Sequence, residues 1–340
     1  MAEFPDPDAL KEELRGRWAL YLDLTAPNRP DLHAYCRRLT SSVWDAEDLV
    51  QDTLLRGFGH LGFLYQEVGD LRAYLLRAAT NVFIDAHRRR NAEGRILDER
   101  LPTGSHEPLP DERARVRDAA VHLLQRLAPQ ERAAVVLKDV FDLSLREIAE
   151  ILATSEGAVK HALHRGRERL REPGPAPARH ERPSLEVVER FVALYDAKDV
   201  PGLVALLVDG GSAENVGFGL QYGKAAFEGT ENFLYKAVHG HEEWPVSFQP
   251  ESVRLATGRF EGAALVLCLA TRHGREALEQ VLRIDDVDGR IARLRGYAFC
   301  PQTMREIGAA LGHEVRTGLY RVPSFEGGAA VPSATRTRDS

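Results

Sequence analysis

Cysteine is scarce in this 340-residue sequence, and long apolar runs are missing from it. The three cysteines, Cys36, Cys268 and Cys300, lie far apart and form no C-x-x-C pair, which argues against a disulfide framework and for reduced structural thiols. No apolar run approaches the ~18–20 residues of a membrane span, and the acidic start lacks the parts of a secretory signal. We therefore expect a cytoplasmic protein with no membrane contact, no metal and no cofactor.

A strong excess of charge of either sign is also missing. The formal net charge is -6 and the pI is about 6.1, so nucleic-acid binding would have to depend on local basic patches. With 44% hydrophobic and 28% charged residues, the composition is that of a globular protein and excludes wholesale disorder. The length predicts two or three domains.

Two proline-containing breaks divide the chain. One combines three prolines with several acidic residues, and the other alternates Pro with Ala, which favours an extended spacer. The predicted organisation is a helical block at 1–90, an acidic linker at 91–113, a helical block at 114–171, a Pro/Ala spacer at 172–184, an α+β domain at 185–312 and a loosely held tail at 313–340.

The fold classes follow from hydrophobic periodicity. Both helical blocks repeat their apolar residues at a period near 3.6. The last block opens with helices and then has β-rich segments, with Asp288 and Gly289 as a hairpin turn. Helices followed by a meander of strands indicate an α+β domain. The β-rich segments are residues 246–256, 262–272, 277–286 and 290–299.

The segment 145–170, LREIAEILATSEGAVKHALHRGRERL, predicts two helices. Ser144 and Glu147 have the spacing of a capping box, and apolar residues then follow at helical intervals. The pattern breaks before Ser155, which offers a second N-cap. Two short helices joined by a three-residue turn are typical of a helix-turn-helix, although spacing alone leaves an ordinary helical hairpin equally open.

The second of these helices has a polar, partly basic face opposite its apolar positions, as a helix in the major groove of DNA requires. Residues near its start would reach base edges, whereas later arginines would bind phosphate, which positions the protein without specifying sequence. The candidate DNA-binding residues are Ser155, Glu156, Gly157, Lys160, His161, His164, Arg165 and Arg167.

The segments flanking this motif extend the interpretation. Residues 124–170, with Leu127, Gln130 and Arg132 ahead of the two helices, resemble region 4 of an extracytoplasmic-function sigma factor of the sigma-70 family. Upstream, WDAEDLVQDTLLRGF (44–58) resembles region 2.2, and LRAYLLRAATNVFIDAHRRR (71–90) resembles regions 2.3 and 2.4. The resemblance implies two all-α sigma domains, region 2 and region 4, and a chain that gives core RNA polymerase its promoter specificity without being an enzyme itself.

The resemblance also assigns roles within region 2. The helix of region 2.2 would dock on the β′ clamp helices of core RNA polymerase, while region 4 would bind the β flap and the −35 promoter element; a merely solvated acidic face is the alternative. The core-polymerase-binding residues would be Asp45, Glu47, Asp48, Gln51 and Asp52. The residues that recognise and melt the −10 element would be Arg72, Tyr74, Arg77, Asn81, Asp85, Arg88, Arg89 and Arg90.

Two segments between these motifs have roles by the same resemblance. The loop before region 2.3, with His60, Phe63 and Tyr65, would capture a flipped base. The acidic linker would thread toward the active-site cleft of the polymerase, or serve only as a flexible tether. Its acidic residues are Asp98, Glu99, Glu107, Asp111 and Glu112.

The last block has a resemblance of its own. Residues 184–219 resemble the two-helix opening of a SnoaL-like, ketosteroid-isomerase-like cone, a fold that encloses a pocket. Some sigma factors with such an extension carry an Asp-Gly-Gly-Gly motif, which residues 209–212, Asp-Gly-Gly-Ser, match only in part. We expect this domain to regulate the sigma part, through contacts with it or by binding a small apolar ligand.

Two other functions stay open. A conventional helix-turn-helix regulator would sense a ligand through its last domain, but it would have no need of the region 2 motifs. A SnoaL-like isomerase or cyclase with a DNA-binding appendage would need a pocket carboxylate or histidine, and no spacing selects one. HGHEEW lacks the paired histidines of H-E-x-x-H, so we do not expect a metal. The candidates for the catalytic carboxylate or histidine of such an enzyme are Asp209, Glu214, His239, His241, Glu242 and Glu243.

Overall fold

The computed structural model describes residues 7–40, 42–61, 69–94, 123–124, 126–171, 184–230, 232–239 and 249–318. Two helical blocks and a C-terminal domain built on one sheet follow one another in these ranges. The acidic linker beyond residue 94 and the Pro/Ala spacer before residue 184 lie outside the described residues.

The first helical block contains four helices. They are α1 (Pro7–Thr25), α2 (Arg29–Leu39), α3 (Val43–Leu61) and α4 (Leu71–Gly94). Ser42 begins α3, where its hydroxyl accepts a hydrogen bond from the Asp45 amide at 3.0 Å and so satisfies one of the free N–H groups of a helix start. Helix α1 packs on α3 through Trp18, Tyr21 and Phe58, whose ring centroids are 5.3 to 5.6 Å apart.

The second helical block is a helix-turn-helix preceded by one further helix. Its helices are α5 (Pro129–Asp139), α6 (Leu145–Ile151) and α7 (Glu156–Arg171). The predicted capping box is confirmed: the Glu147 amide donates to Ser144 Oγ at 3.2 Å, and the Ser144 amide donates to Glu147 Oε2 at 2.7 Å. Ser155 caps α7 by accepting from the Ala158 amide at 3.2 Å. The turn thus ends α6 and starts α7 where the sequence predicts.

The two helical blocks share one hydrophobic core. Phe141, just after α5, meets Tyr35 of α2 edge-on with ring centroids 5.9 Å apart. Arg132 of α5 donates to the Leu39 carbonyl at the end of α2 at 2.7 Å and lies 5.5 Å from the ring centroid of Phe83. The second block therefore packs directly onto the first in this conformation.

The C-terminal domain is α+β. Its elements are α8 (Glu186–Asp196), α9 (Val200–Leu206), β1 (Leu207–Asn215), β2 (Gly219–Tyr222), α10 (Phe233–His239), β3 (Ser252–Phe260), β4 (Ala263–Arg272), β5 (Arg275–Val287), β6 (Arg290–Gly296) and α11 (Pro301–Leu311). The strands form one sheet in the order β2-β1-β6-β5-β4-β3, in which β1 and β6 are parallel and all other neighbours antiparallel. The expected fold class, helical blocks followed by an α+β domain, is confirmed, and the mixed six-stranded sheet is consistent with the expected SnoaL-like cone.

Each of the four β-rich segments contributes to one strand, β3, β4, β5 or β6, and the predicted turn joins the last two. Residues 246–248 of the first segment lie outside the described residues. Asp288 and Gly289 have φ values of 51° and 72°, the positive values that a two-residue hairpin turn requires. The sequence-based expectations omit β1, β2, α10 and α11. Residues 209–212 lie inside β1, and their glycines conceal the strand because glycine is depleted in strands.

Both faces of the sheet are covered. Successive residues of a strand point to opposite faces, so the side chains of β4 divide between two cores. Val266 packs with Phe191 of α8, in a core that α8 and α9 complete. Leu265 and Leu267 pack on the other side, in a cluster that joins Met304 of α11 to Trp44 of α3. The first helical block thus supplies part of the cover of the C-terminal sheet.

Candidate nucleic-acid and protein interfaces

The outer face of α7 is the first candidate interface. Val159, Ala162 and Leu163 are buried, and the polar residues between them are exposed. The eight candidate DNA-binding residues are all exposed: Ser155, Glu156, Gly157, Lys160, His161, His164, Arg165 and Arg167. The helix therefore presents one continuous polar surface to solvent.

The two candidate arginines on this helix already have acidic partners. Arg165 Nε donates to Glu131 Oε1 at 3.0 Å, and Arg167 Nε donates to Asp139 Oδ2 at 3.3 Å. Nearer the helix start, Lys160 makes no ion pair within the described part of the chain. Arg165 and Arg167 are thus held in ion pairs within the described structure, whereas Lys160 is not. The spacing of these residues along the helix does not predict this difference.

Helix α4 carries the second candidate surface. Tyr74, Arg77, Asn81, Asp85 and Arg88 follow one another at intervals of three or four residues, so they lie along one side of the helix. Asp85 pairs with Arg88 on this surface at 4.0 Å and with Arg56 of α3 at 3.4 Å. The exposed members of the predicted set are Arg77, Asn81, Arg88 and Arg89. This row therefore presents polar and cationic groups to solvent.

Tyr74 has an aromatic neighbour from the end of α3. The ring of His60 is nearly parallel to it, at an interplanar angle of 6° and a centroid distance of 6.4 Å, and His60 Nδ1 is 3.3 Å from the Tyr74 hydroxyl. Arg72 lies away from this surface, since its Nε binds Asp31 Oδ2 at 2.5 Å and its guanidinium covers Phe141. Phe63 and Tyr65 lie outside the described residues, as does the side chain of Arg90.

The acidic side of α3 is the third candidate surface, and it is not one exposed face. Asp45 and Asp52 are exposed, and Asp48 is half-buried. Glu47 is fully buried, which corrects the expectation that the five residues form a common acidic face. Gln51 donates to Glu47 Oε1 at 2.7 Å and is therefore also turned partly inward.

Glu47 is held in a network that crosses between domains. Arg29 Nη2 lies 2.6 Å from Glu47 Oε1, and the Thr303 hydroxyl of α11 donates to Glu47 Oε2 at 2.6 Å. Burial alone would raise the pKa of Glu47, but Arg29, His33 and the hydrogen bonds from Thr303 and Gln51 outweigh it, so the pKa lies below its usual value. Glu47 is thus an ionised, fully satisfied carboxylate inside the interface.

Further polar contacts fix the C-terminal domain on α2 and α3. The Val43 amide, at the start of α3, donates to Glu261 Oε2 at 2.6 Å, and Glu261 also pairs with Arg37. Arg295 Nη1 donates to Asp48 Oδ2 at 3.2 Å. Together with the apolar cluster around Trp44, these contacts cover the amino-terminal part of α3.

The candidate catalytic residues that the structure describes form no common cluster in the C-terminal domain. Asp209 and His239 are exposed, and Glu214 pairs with Arg295 at 3.1 Å. His241, Glu242 and Glu243 lie outside the described residues. The part of the chain that the structure describes contains no group of three or more potential metal ligands, and none of its helices combines the length and apolar character of a membrane span.

Comparisons with known proteins agree with the division into helical blocks. Residues 24–93 match the family model for sigma-70 region 2, and residues 117–170 match the model for sigma-70 region 4. The RNA polymerase sigma-E factor of Streptomyces coelicolor is 36% identical over 141 residues, which cover 40% of this chain and 75% of that protein. The two family-model matches fall on the two helical blocks.

Two mycobacterial proteins are also similar. The ECF RNA polymerase sigma factor SigG of Mycobacterium tuberculosis is 35% identical over 228 residues, 57% of this chain and 60% of that protein. The chain therefore spans about 60% of the length of this relative. The crystal structure of SigJ from the same organism aligns with 84% of this chain and 98% of its own, at 23% identity and a TM-score of 0.32.

Proposed function

Because the chain belongs to the sigma-70 family, among its extracytoplasmic-function sigma factors, we propose that it is an alternative sigma factor. It binds core RNA polymerase and directs promoter-specific initiation, while the polymerase performs the chemistry. The observation that carries this proposal is the presence, in one chain, of a helix-turn-helix with an exposed recognition helix and of a separate polar row on α4. Both functions take place where the polymerase works, in the cytoplasm.

The two surfaces suit two states of promoter DNA. Helix α7 enters the major groove of the −35 duplex, where Gly157, Lys160 and His161 near its start reach base edges. The row on α4 holds the −10 element as it opens, with Tyr74 and His60 as flat surfaces for unstacked bases.

The acidic residues of α3 bind the basic clamp helices of the polymerase. Asp45 and Asp52 are exposed. Asp48 is held by Arg295 of the C-terminal domain, and Glu47 is covered by Thr303. A polymerase that uses this whole side of α3 cannot bind while the C-terminal domain is in place, so we propose that the domain restrains the sigma factor in cis.

The test of the proposed function is transcription in vitro with purified core polymerase over a promoter library. The full-length chain is expected to produce transcripts from a defined subset of promoters, and activity should fall steeply with salt because phosphate contacts release counterions. A chain that fails to co-elute with core polymerase and leaves initiation unchanged would contradict the proposal.

The test of restraint uses variants on the C-terminal side of the interface only. Glu261→Gln and Arg295→Gln together remove two polar contacts without altering α3, so polymerase binding is expected to become tighter and transcription to rise. Arg254→Gln is the matched control, because it removes an ion pair within the C-terminal sheet. In that pair Arg254 Nη2 of β3 lies 2.8 Å from Glu276 Oε1 of β5. Equal activity of all three proteins would argue against restraint in cis.

A further inference from the structure

Three residues of α5 face the recognition helix at intervals of four: Glu131, Val135 and Asp139. This spacing places them along one side of α5. We call them the α5 stripe. Each member meets a different part of α7, so the stripe fixes how α7 is rotated about its own axis.

The central contact is a close approach of the two helices. A Cβ built on Gly166 of α7 would lie 2.9 Å from Val135 Cγ2 and 3.5 Å from Glu131 Cβ. Glycine therefore permits this spacing, because an added Cβ would require Val135 or the helices to shift. The residues on either side of Gly166 are then directed to opposite flanks of the contact.

Acidic residues occupy both flanks. On one side lies Glu131, which is only 3% exposed. Its carboxylate accepts hydrogen bonds from Arg165 Nε at 3.0 Å and from Arg169 Nη1 at 2.5 Å. On the other side, Asp139 forms a two-pronged ion pair with Arg167. The arginines themselves are about half exposed.

The burial of Glu131 decides how firmly its arginines are held. A buried carboxylate that loses its cationic partners is strongly destabilised, since it keeps its desolvation penalty without compensation. Its other contact is the Ala128 amide, 3.2 Å from Oε2, which cannot replace two guanidinium groups. Arg165 and Arg169 are thus neutralised beside the surface that faces DNA.

We propose that Glu131 and Asp139 are positioning residues that set the DNA specificity of α7: they hold its rotation and keep three flanking arginines from binding phosphate freely. This inference rests on the proposed function, since it assigns sequence readout to α7. Non-specific phosphate binding is sequence-independent, so limiting it raises the relative weight of the base contacts made by Lys160 and His161.

The experiment compares holoenzymes assembled from core polymerase and full-length chain variants. Binding is measured to a promoter that the wild-type protein selects and to the same promoter with its −35 element scrambled, over a range of salt concentrations. Glu131→Gln preserves the side-chain shape and frees two guanidinium groups. The slope of log K against log salt is expected to steepen by up to about two, one for each freed guanidinium that contacts a phosphate, and discrimination against the scrambled element to fall about fivefold.

Two further variants separate positioning from folding. Asp139→Asn removes a half-exposed carboxylate and is expected to give a smaller change in the same direction, even if Glu131→Gln fails to fold. Replacing Arg165 and Arg169 with Gln in the Glu131→Gln background is expected to return the slope to the wild-type value or below. Asp142→Asn is the control, because it removes the same negative charge without freeing an arginine of α7. Asp142 pairs instead with Lys138 of α5 at 3.3 Å.

The outcomes distinguish the two proposals. If folded Glu131→Gln and Asp139→Asn proteins keep the wild-type slope and discrimination, the positioning role is overturned while the sigma function stands. If both bind every DNA less tightly with a shallower slope, the role is likewise overturned, because the acids would then assist phosphate binding. A wild-type chain that confers no promoter selectivity would overturn both proposals.

Discussion

Arg295 of strand β6 binds both carboxylate oxygens of Asp48 on helix α3, a residue 247 positions earlier in the chain. The Arg295 side chain is 6% exposed and that of Asp48 is 46% exposed. The guanidinium also binds Glu214 within its own domain at 3.1 Å, so a contact inside the C-terminal domain orients it for the contact with Asp48. The C-terminal domain therefore presents a preorganised cation to the acidic helix.

The coupling between Arg295 and Asp48 can be measured by a double-mutant cycle with Arg295→Gln and Asp48→Asn. We expect a coupling free energy of about 1 kcal/mol, the upper range for a partly exposed ion pair. The measurement is the free energy of unfolding of the full chain in urea. A coupling indistinguishable from zero would mean that the pair does not hold the domains together.

Lowering the pH from about 7 to about 5.5 is expected to weaken the interface through His33 of α2, whose Nε2 lies 3.2 Å from the hydroxyl of Thr303 in the C-terminal domain. Burial lowers the pKa of His33, and Arg29 and Arg37 add to this, while Glu47 and Glu306 only partly oppose it. Its contribution to stability is therefore present above the unfolded pKa of ~6.5 and is lost as the pH falls below it. Glu47, whose pKa is depressed, stays ionised in this window.

The corresponding measurement is the urea unfolding free energy of wild type and His33→Gln at both pH values. The wild-type protein is expected to lose up to about 1 kcal/mol more than the variant over this range. Identical pH dependence of the two proteins would exclude His33 as the titrating group.

Ser144→Ala is expected to destabilise the helix-turn-helix by about 1 kcal/mol, because it removes the hydroxyl that accepts from the Glu147 amide. Thr154→Ala is the matched control, since Thr154 is exposed in the turn and caps no helix in the described structure. Thermal unfolding monitored by circular dichroism compares them. Equal melting temperatures would show that the capping box contributes little.

Gly166→Ala is expected to destabilise the second helical block by about 1 kcal/mol or more, because the added methyl group meets Val135. Adding Val135→Ala should recover much of the loss, since it makes room for that methyl group. Gly157→Ala is the control: its Cβ has only Ser155 Oγ nearby at 3.8 Å, so it should stabilise the helix by up to about 1 kcal/mol. Thermal unfolding distinguishes them, and similar behaviour of both single variants would contradict the close contact.

Local patterns in the sequence predict the helix-turn-helix closely. The capping box at Ser144, the second cap at Ser155 and the buried Val159 follow from spacing within a few residues, because hydrogen bonds and apolar contacts repeat with the helix. The β5–β6 hairpin is predicted for the same reason, since Asp288 and Gly289 carry their turn preference locally.

The contacts between domains could not be predicted in this way. Glu47 has the spacing of an exposed acidic residue, and only its encounter with Thr303, 256 positions later, makes it a buried one. Glu261 likewise caps α3 from a hairpin 218 positions away. No local pattern marks such partners, because their proximity depends on how the finished domains pack.

The hydrophobic core common to the two helical blocks has a consequence for the free protein. Separating the blocks would expose Tyr35 and Phe141 and break the hydrogen bond from Arg132 to the Leu39 carbonyl. We therefore expect the two blocks to unfold together in one cooperative transition. Any assembly that draws them apart to span two distant DNA segments must supply the free energy of that separation from its own binding.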